Sequence, residues 1–134
     1  MGMKLFRLIS LLNIIIIANQ TIAVKNSVAS NWIVAQSAEL QLLDKITARI
    51  STTIVPVGGG AEFGTLELRV HYCAYRPPEE TPENAAFIII YDNGYGDRKL
   101  QQALFSGWMF ASSPAISGLE HPVYDVTLLS CNKE

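Results

Sequence analysis

Serine, histidine and aspartate side chains gather toward the C-terminal end of this 134-residue chain, where Ser106, Ser112 and Ser113 precede His121 and Asp125. A nucleophile, a base and an orienting acid within hydrogen-bond reach of one another form the catalytic set of serine hydrolases. No G-x-S-x-G motif is present, and an extended segment can hold these groups apart. A small hydrolase that uses His121 with a nearby serine is therefore the alternative hypothesis.

Three side chains, those of His71, Glu120 and His121, are candidate metal ligands. No H-x-x-x-H or C-x-x-C spacing supports a zinc site. Residues 92–97 (DNGYGD) resemble the start of a calcium loop, but Ala103 stands where the closing glutamate is expected. A metal-dependent enzyme that combines His121 with a nearby carboxylate stays within the alternative hypothesis. The leading hypothesis has no metal and no cofactor.

The stretch 104–125 places aromatic residues beside polar ones. Alternation puts Trp108 and Phe110 on one face of a strand, so that face is either buried or offers an aromatic patch to a partner. Ser113 precedes Pro114 as an N-cap precedes the first residue of a helical turn, which Gly118 would end. We predict that Glu120, His121 and Tyr124 form a polar corner that holds this turn against the strand. The candidate binding or structural site is Trp108, Phe110, Ser113, Glu120, His121 and Tyr124.

The first 23 residues have the pattern of a secretory signal peptide, with Lys4 and Arg7 before an apolar run. Cleavage is expected after Ala23 or, as a second choice, after Ala29. The run is shorter than the ~20 residues that span a bilayer, so no transmembrane segment is expected after cleavage. Residues 24–38 are interpreted as a flexible tether, and 39–134 as one β domain. The mature chain would carry eight basic and twelve acidic side chains, which disfavours nucleic acid as a partner.

Export places Cys73 and Cys131 in an oxidising compartment, where an even cysteine count indicates a disulfide. Simple alternation puts each cysteine at the end of a strand on its more polar face, as two neighbouring strands would allow. A bridge across this separation stabilises a fold by about 4 kcal/mol in the chain-entropy model.

Apolar alternation and turn residues predict an all-β fold of about five strands. It would be a small antiparallel sandwich or a partly open barrel. The first strand runs from 40 to 54, and the glycines 58–60 form a hairpin turn into a second strand, 62–73. An acidic, proline-rich loop (76–84) precedes a continuous apolar run, 86–91, which predicts a central strand. The last two strands are 105–110 and 123–131.

Several segments together resemble a known family. They are 43–47 (LDKIT), 63–66 (FGTL), 77–79 (PPE), 82–87 (PENAAF), 105–115 (FSGWMFASSPA) and 120–126 (EHPVYDV), followed by Cys131. This combination resembles domain of unknown function 2155, over residues 40–131. The resemblance implies a small cell-envelope protein of Gram-negative bacteria, in the periplasm, with a cysteine pair. It implies no catalytic residue, cofactor or substrate. The sequence thus favours a non-catalytic binding or structural module for another envelope component, a protein or a glycan.

Overall fold

The computed structural model describes residues 31–94, 102–119 and 121–133. The predicted signal peptide and Glu120 lie outside these residues. The described part of the chain contains eight β-strands and no helix. The strands are β1 (Ile33–Val34), β2 (Ser37–Asp44), β3 (Arg49–Pro56), β4 (Gly60–Phe63), β5 (Leu66–Tyr75), β6 (Asn84–Asp92), β7 (Phe105–Phe110) and β8 (Tyr124–Asn132). Strands β1 and β2 therefore take up the last part of the segment interpreted as a tether.

The strands form two open antiparallel sheets, which confirms the predicted all-β fold. Sheet 1 has the order β1-β5-β6-β7, and β4 pairs with the same edge of β5 as β1. Sheet 2 has the order β3-β2-β8. As predicted, β6 is a central strand. The core between the sheets includes Leu40, Leu68, Ile88, Met109 and Leu128, all nearly inaccessible to water.

The predicted long strand 40–54 is wrong, because β2 and β3 form a hairpin around residues 45–48. The Asp44 carboxylate accepts hydrogen bonds from the amides of Ile46 and Thr47, at 2.9 and 3.1 Å, and so stabilises this turn. Because Leu42 pairs with Ser51, even-numbered residues face the core in β2 and point outward in β3. Apolar residues occupy even-numbered positions both before and after the turn. The sequence pattern therefore gives no sign that the even-numbered residues change from the core face to the outer face.

The glycines 58–60 form a turn, but not the predicted hairpin, because they carry the chain from β3 in sheet 2 to β4 in sheet 1. Gly58 has a positive φ of 83°. The predicted strand 62–73 is also interrupted. Phe63 pairs with Leu66 across a two-residue turn, in which Gly64 has φ 58°. A positive φ at the first turn position is typical of hairpins and favours glycine.

The disulfide between Cys73 and Cys131 is confirmed, but the predicted faces and neighbouring strands are wrong. The cysteines lie on β5 and β8, in different sheets, and both face the core. In each strand the pairing register shifts just before the cysteine. The shift lies between Val70 and Tyr72 in β5, and between Leu128 and Ser130 in β8. Each bulge inserts one residue and reverses the alternation beyond it. The bridge therefore crosses the core and joins the two sheets.

Candidate functional site

The outer face of sheet 1 carries a cluster of aromatic side chains from three neighbouring strands. Cross-strand pairing aligns Tyr72 of β5, Phe87 of β6 and Trp108 of β7 in one row. The Trp108 ring meets Tyr72 and Phe87 edge to face, with ring centroids 5.7 and 5.5 Å apart. Such contacts add to the stabilisation from burial and fix the ring orientations. Trp108 nevertheless remains 46% exposed.

The next row across the same face has small side chains at its centre. Ala74 and Ala85 lie between Val34 of β1 and Phe110 of β7. Both alanines are buried, whereas Val34 is 60% and Phe110 37% exposed. Larger neighbours therefore rise around a shallow floor and leave a concave apolar depression of about 760 Å³. We call this depression the aromatic surface. It is lined by Trp32, His71, Tyr72, Ala74, Ala85, Phe87, Trp108 and Phe110.

Two further residues complete the rim of the aromatic surface. Trp32 lies just before β1, and the guanidinium group of Arg76 stacks 5.2 Å from the centre of its ring. His71 meets Phe87 edge to face, with ring centroids 6.4 Å apart. The β5 bulge turns Tyr72 outward and Cys73 inward, so one irregularity supplies both the aromatic surface and the disulfide. Strict alternation from Leu68 and Val70 would put Tyr72 on the core face of β5, so the sequence does not identify it as a site residue.

The turn 113–118 is held against the end of β7 by two serines. The Phe110 amide donates to Ser117 Oγ at 3.1 Å, and the Ser113 amide donates to the Phe110 carbonyl at 3.2 Å. Ser117 Oγ also donates to the Ser113 carbonyl at 3.2 Å. These bonds occupy the backbone groups of Phe110 at the open edge of sheet 1. Ser113 therefore supports the aromatic surface, within a turn rather than the predicted helical turn.

Glu83 connects the β5–β6 loop to the segment after β7. Its carboxylate accepts hydrogen bonds from the Ser112 hydroxyl, from the Ser112 amide at 3.1 Å and from the Asn84 amide at 2.9 Å. Burial alone would raise the pKa of Glu83, but these bonds and the positive charge of Arg76 leave it below its ordinary value. Asn84 extends this connection, since its side-chain oxygen accepts from the Cys131 amide at 3.0 Å.

His121 and Tyr124 form a separate corner at the other end of β6. His121 Nδ1 accepts hydrogen bonds from the Val123 and Tyr124 amides, both at 3.1 Å. The acceptor role of Nδ1 places the ring proton on Nε2, which faces the Asp92 carboxylate at 3.4 Å. The His121 ring also stacks on Tyr124, with centroids 5.3 Å apart. Burial raises the pKa of Asp92, but hydrogen bonds from the Gly94 amide, Thr65 and His121 outweigh it and lower the pKa.

The structure divides the predicted site into two places. Asp92, the partner of His121, lies five residues beyond Phe87, the neighbour of Trp108, along β6. At about 3.4 Å per residue this separation is roughly 17 Å. Tyr124 packs against Phe63 of β4, with ring centroids 5.3 Å apart. His121 and Tyr124 thus contact the β4–β5 region and the end of β6, and Glu120 lies outside the described residues.

In the part of the chain that the structure describes, the side chains proposed for a hydrolase or a metal-dependent enzyme are not brought together into a catalytic set. Ser112 binds Glu83, while His121 binds Asp92 and the backbone amides of Val123 and Tyr124. No group of three histidine, cysteine, aspartate or glutamate side chains in the described residues is arranged to hold a metal ion. His71 and His121 belong to the aromatic surface and the corner, respectively. The part of the chain that the structure describes contains no helix that could span a membrane.

Comparisons with known proteins agree with the resemblance drawn from the sequence motifs. One similar protein is the uncharacterised protein RP359 of Rickettsia prowazekii (strain Madrid E), 29% identical over 89 residues. The match covers 66% of this chain and 56% of the relative, so the chain spans little more than half the length of that protein. No solved structure matches the chain. A family model described as "Uncharacterized protein conserved in bacteria (DUF2155)" matches residues 38–131. The chain therefore belongs to the DUF2155 family.

Proposed function

We propose that this chain is a non-catalytic binding module of the bacterial cell envelope. In this proposal, the aromatic surface binds an apolar segment of another envelope protein. The observation that carries it is the pair Trp108 and Phe110, which stay partly exposed on the outer face of sheet 1 beside a floor of buried alanines. Contiguous exposed apolar surface rimmed by polar residues is typical of interaction sites.

The energetics of the aromatic surface favour binding. Burying the rest of a large aromatic side chain removes apolar area from water at about 25 cal/mol per Å². Tryptophan and tyrosine dominate binding hot spots because they combine large area with few rotatable bonds. Here the edge-to-face contacts hold Trp108 in place before any partner arrives. The entropic cost of ordering it on binding is correspondingly small.

The backbone that presents the aromatic surface is also well supported. Glu83 holds the segment after β7, and Ser117 holds the end of β7 itself. The disulfide anchors β5 to sheet 2 directly behind the outward-facing Tyr72. Contact residues that are fixed by a second layer of interactions keep the geometry that a specific site needs.

The composition of the aromatic surface favours a protein segment over a glycan. Of the residues that line the surface, only Trp32, His71, Tyr72 and Trp108 carry a side-chain hydrogen-bonding group, and none carries a carboxylate, an amide or a guanidinium group. A bound sugar needs hydrogen-bond partners for its hydroxyl groups, because a polar group buried without a partner costs about 1–3 kcal/mol. An apolar peptide segment has no such requirement along its side chains.

The envelope location rests on two observations. The first 23 residues have the composition of a secretory signal, and the disulfide is of the kind that persists in oxidising compartments. Cell fractionation followed by N-terminal sequencing tests this location. We expect the protein in the envelope fraction with a first residue near Val24. An intact Met1 on a protein of the cytoplasmic fraction would overturn the location.

Capture from solubilised envelope fractions tests the binding role. The bait is the chain from Val24, compared with Trp108→Ala and with Leu129→Ala, which removes a similarly exposed apolar side chain from sheet 2. We expect wild type and Leu129→Ala to retain the same protein, and Trp108→Ala to lose it by at least tenfold. Thermal unfolding of each variant shows whether it is folded. The proposal fails if folded Trp108→Ala captures normally.

A second arm distinguishes protein from glycan. The envelope fraction is treated either with a protease or with glycan-degrading enzymes before capture. We expect protease to abolish the interaction and glycan digestion to leave it unchanged. The opposite result would assign the aromatic surface to a glycan.

A further inference from the structure

Strand β3 is an open edge of sheet 2. Its only neighbour among the described strands is β2, and it runs for eight residues, Arg49–Pro56. Edge strands present unpaired backbone groups that can pair with another chain. The aromatic surface lies on the other sheet, so β3 is independent of the proposed function.

The pairing of β2 identifies which backbone groups of β3 are unpaired. The Lys45 amide donates to the Val123 carbonyl, on the β8 side of β2. Backbone groups along an antiparallel strand point to the two sides alternately, so Asp44, Leu42 and Leu40 direct theirs toward β3. Their partners in β3 are Arg49, Ser51 and Thr53. Ile50 and Thr52, which lie between these partners, and Ile54, which follows the last of them, direct their amides and carbonyls to the open edge.

The same residues leave unusually apolar side chains in water. Ile50 and Ile54 are each 61% exposed. Edges of this kind are commonly protected by lysine, by an internal proline or by an inward-pointing charge. In β3 the only charged residue is Arg49 at its start, and the only proline is Pro56 at its end. Nothing within the strand itself opposes pairing.

We propose that β3 pairs with β3 of a second copy, antiparallel and centred on Thr52. In this register Thr52 lies opposite its own counterpart, and Ile50 lies opposite Ile54 of the other copy. Ile50, Thr52 and Ile54, whose backbone groups point to the open edge, then form about six hydrogen bonds between the copies. None of their amides or carbonyls stays unpaired. Isoleucine and threonine pairs across neighbouring strands are themselves stabilising.

The charge pattern fits the same register. Each Arg49 lies opposite Val55 of the other copy, so the two guanidinium groups stand at opposite ends of the paired strands. Their separation along the strands is about 20 Å, well beyond the ~8 Å screening length at physiological salt. The contact is self-complementary in hydrogen bonds and side chains, as a two-fold interface must be, and it places no like charges opposite each other.

The dimer would present two aromatic surfaces at once. A pair of eight-residue strands buries less than the roughly 1,200 Å² of a stable protein interface, so the dimer is expected to dissociate on dilution. A partner that carries two apolar segments would then bind the dimer more tightly than the monomer, because the second contact is intramolecular.

Sedimentation of the chain from Val24 over a wide concentration range tests the dimer. We expect wild type to change from monomer to dimer as concentration rises, and Thr52→Pro and Ile50→Lys to remain monomeric. Proline is tolerated on an edge where its missing amide would face solvent, so Thr52→Pro should fold. The matched control is Ile46→Lys, which makes the same change in the exposed β2–β3 turn and should leave dimerisation unchanged. Thermal unfolding verifies the fold of each variant.

Cross-linking tests the register. In the proposed dimer Thr52→Cys places two thiols directly opposite each other, at a Cα separation of about 5.5 Å that a disulfide can bridge. Ile54→Cys places them about 14 Å apart along the strands. We expect rapid oxidation to a covalent dimer for Thr52→Cys and little for Ile54→Cys. A monomer at every concentration, equal cross-linking of both variants, or pairing of β3 with a different protein alone would overturn the proposal.

Discussion

Removing the disulfide by Cys73→Ala and Cys131→Ala is expected to lower the free energy of unfolding by about 4 kcal/mol. The bridge closes a loop with a sequence separation of 58 residues. For a loop of this size the chain-entropy relation gives about 14 cal/mol/K, or about 4 kcal/mol at 25 °C. Small domains are stable by only about 5–15 kcal/mol in total, so this loss is a large fraction. Alanine is preferred to serine because both cysteines are buried in the core and a serine hydroxyl would need a partner there.

The loss of stability in the double-alanine protein has a second component besides loop entropy, and urea unfolding can separate the two. The alanine variant also loses two buried sulfur atoms, whereas the chemically reduced wild type keeps them and loses only the covalent constraint. Urea unfolding of the oxidised, reduced and double-alanine proteins gives the three free energies. We expect reduction to account for most of the loss. Equal free energies for the oxidised and reduced proteins, or two titratable thiols in the native oxidised protein, would show that the bridge does not stabilise the fold in this way.

Three further substitutions test the contacts that support the two candidate regions. Gly64→Ala is expected to lower the melting temperature by several degrees, because its Cβ would clash with the Tyr124 ring and φ is positive there. Glu83→Gln should cost about 1 kcal/mol at pH 7 by weakening the bond to Ser112. Because the pKa of Glu83 is lower in the folded protein than its ordinary value of 4.5, its stabilising contribution is full above pH 4.5 and is lost as the pH falls through the folded pKa. Urea unfolding should therefore show a smaller difference between wild type and Glu83→Gln at about pH 3 than at about pH 7. A difference that stays constant would contradict this role of Glu83. His121→Ala should destabilise the domain by about 1–3 kcal/mol in the same assay, as loss of a buried hydrogen-bond partner does. A stable His121→Ala protein that lacks a hydrolytic activity of the wild type would instead support an enzyme.

The predictions that the structure confirms depend on local patterns. The continuous apolar run of β6 identified a central strand, and the aromatic alternation of β7 placed Trp108 and Phe110 on one face. The cysteine pair followed from count and compartment. Each of these inferences uses neighbours in the sequence, where the periodicity of a strand directly determines which side chains share a face.

The wrong predictions concern places where the side chains that face the core change from even-numbered to odd-numbered positions, or the reverse. The turn at 45–48 was missed, although Asp44 is a residue type that commonly caps such turns through its carboxylate. The bulge in β5 has no comparable signal. It is visible only in the register with β6, where Val70 pairs with Ile88 but Tyr72 already pairs with Phe87. As a consequence the aromatic surface gained Tyr72, a residue that alternation assigned to the core.

Strand periodicity and cysteine count predict a small β domain with one disulfide without any knowledge of the fold, because they are local or compositional properties. Three features are visible only in the folded chain: the disulfide joins two sheets, Tyr72 and Phe87 meet Trp108, and His121 lies away from them. These outcomes depend on which strands pair and in which register. A shift of one residue exchanges the two faces of a strand, and the free energy that selects the register comes from packing of the whole core.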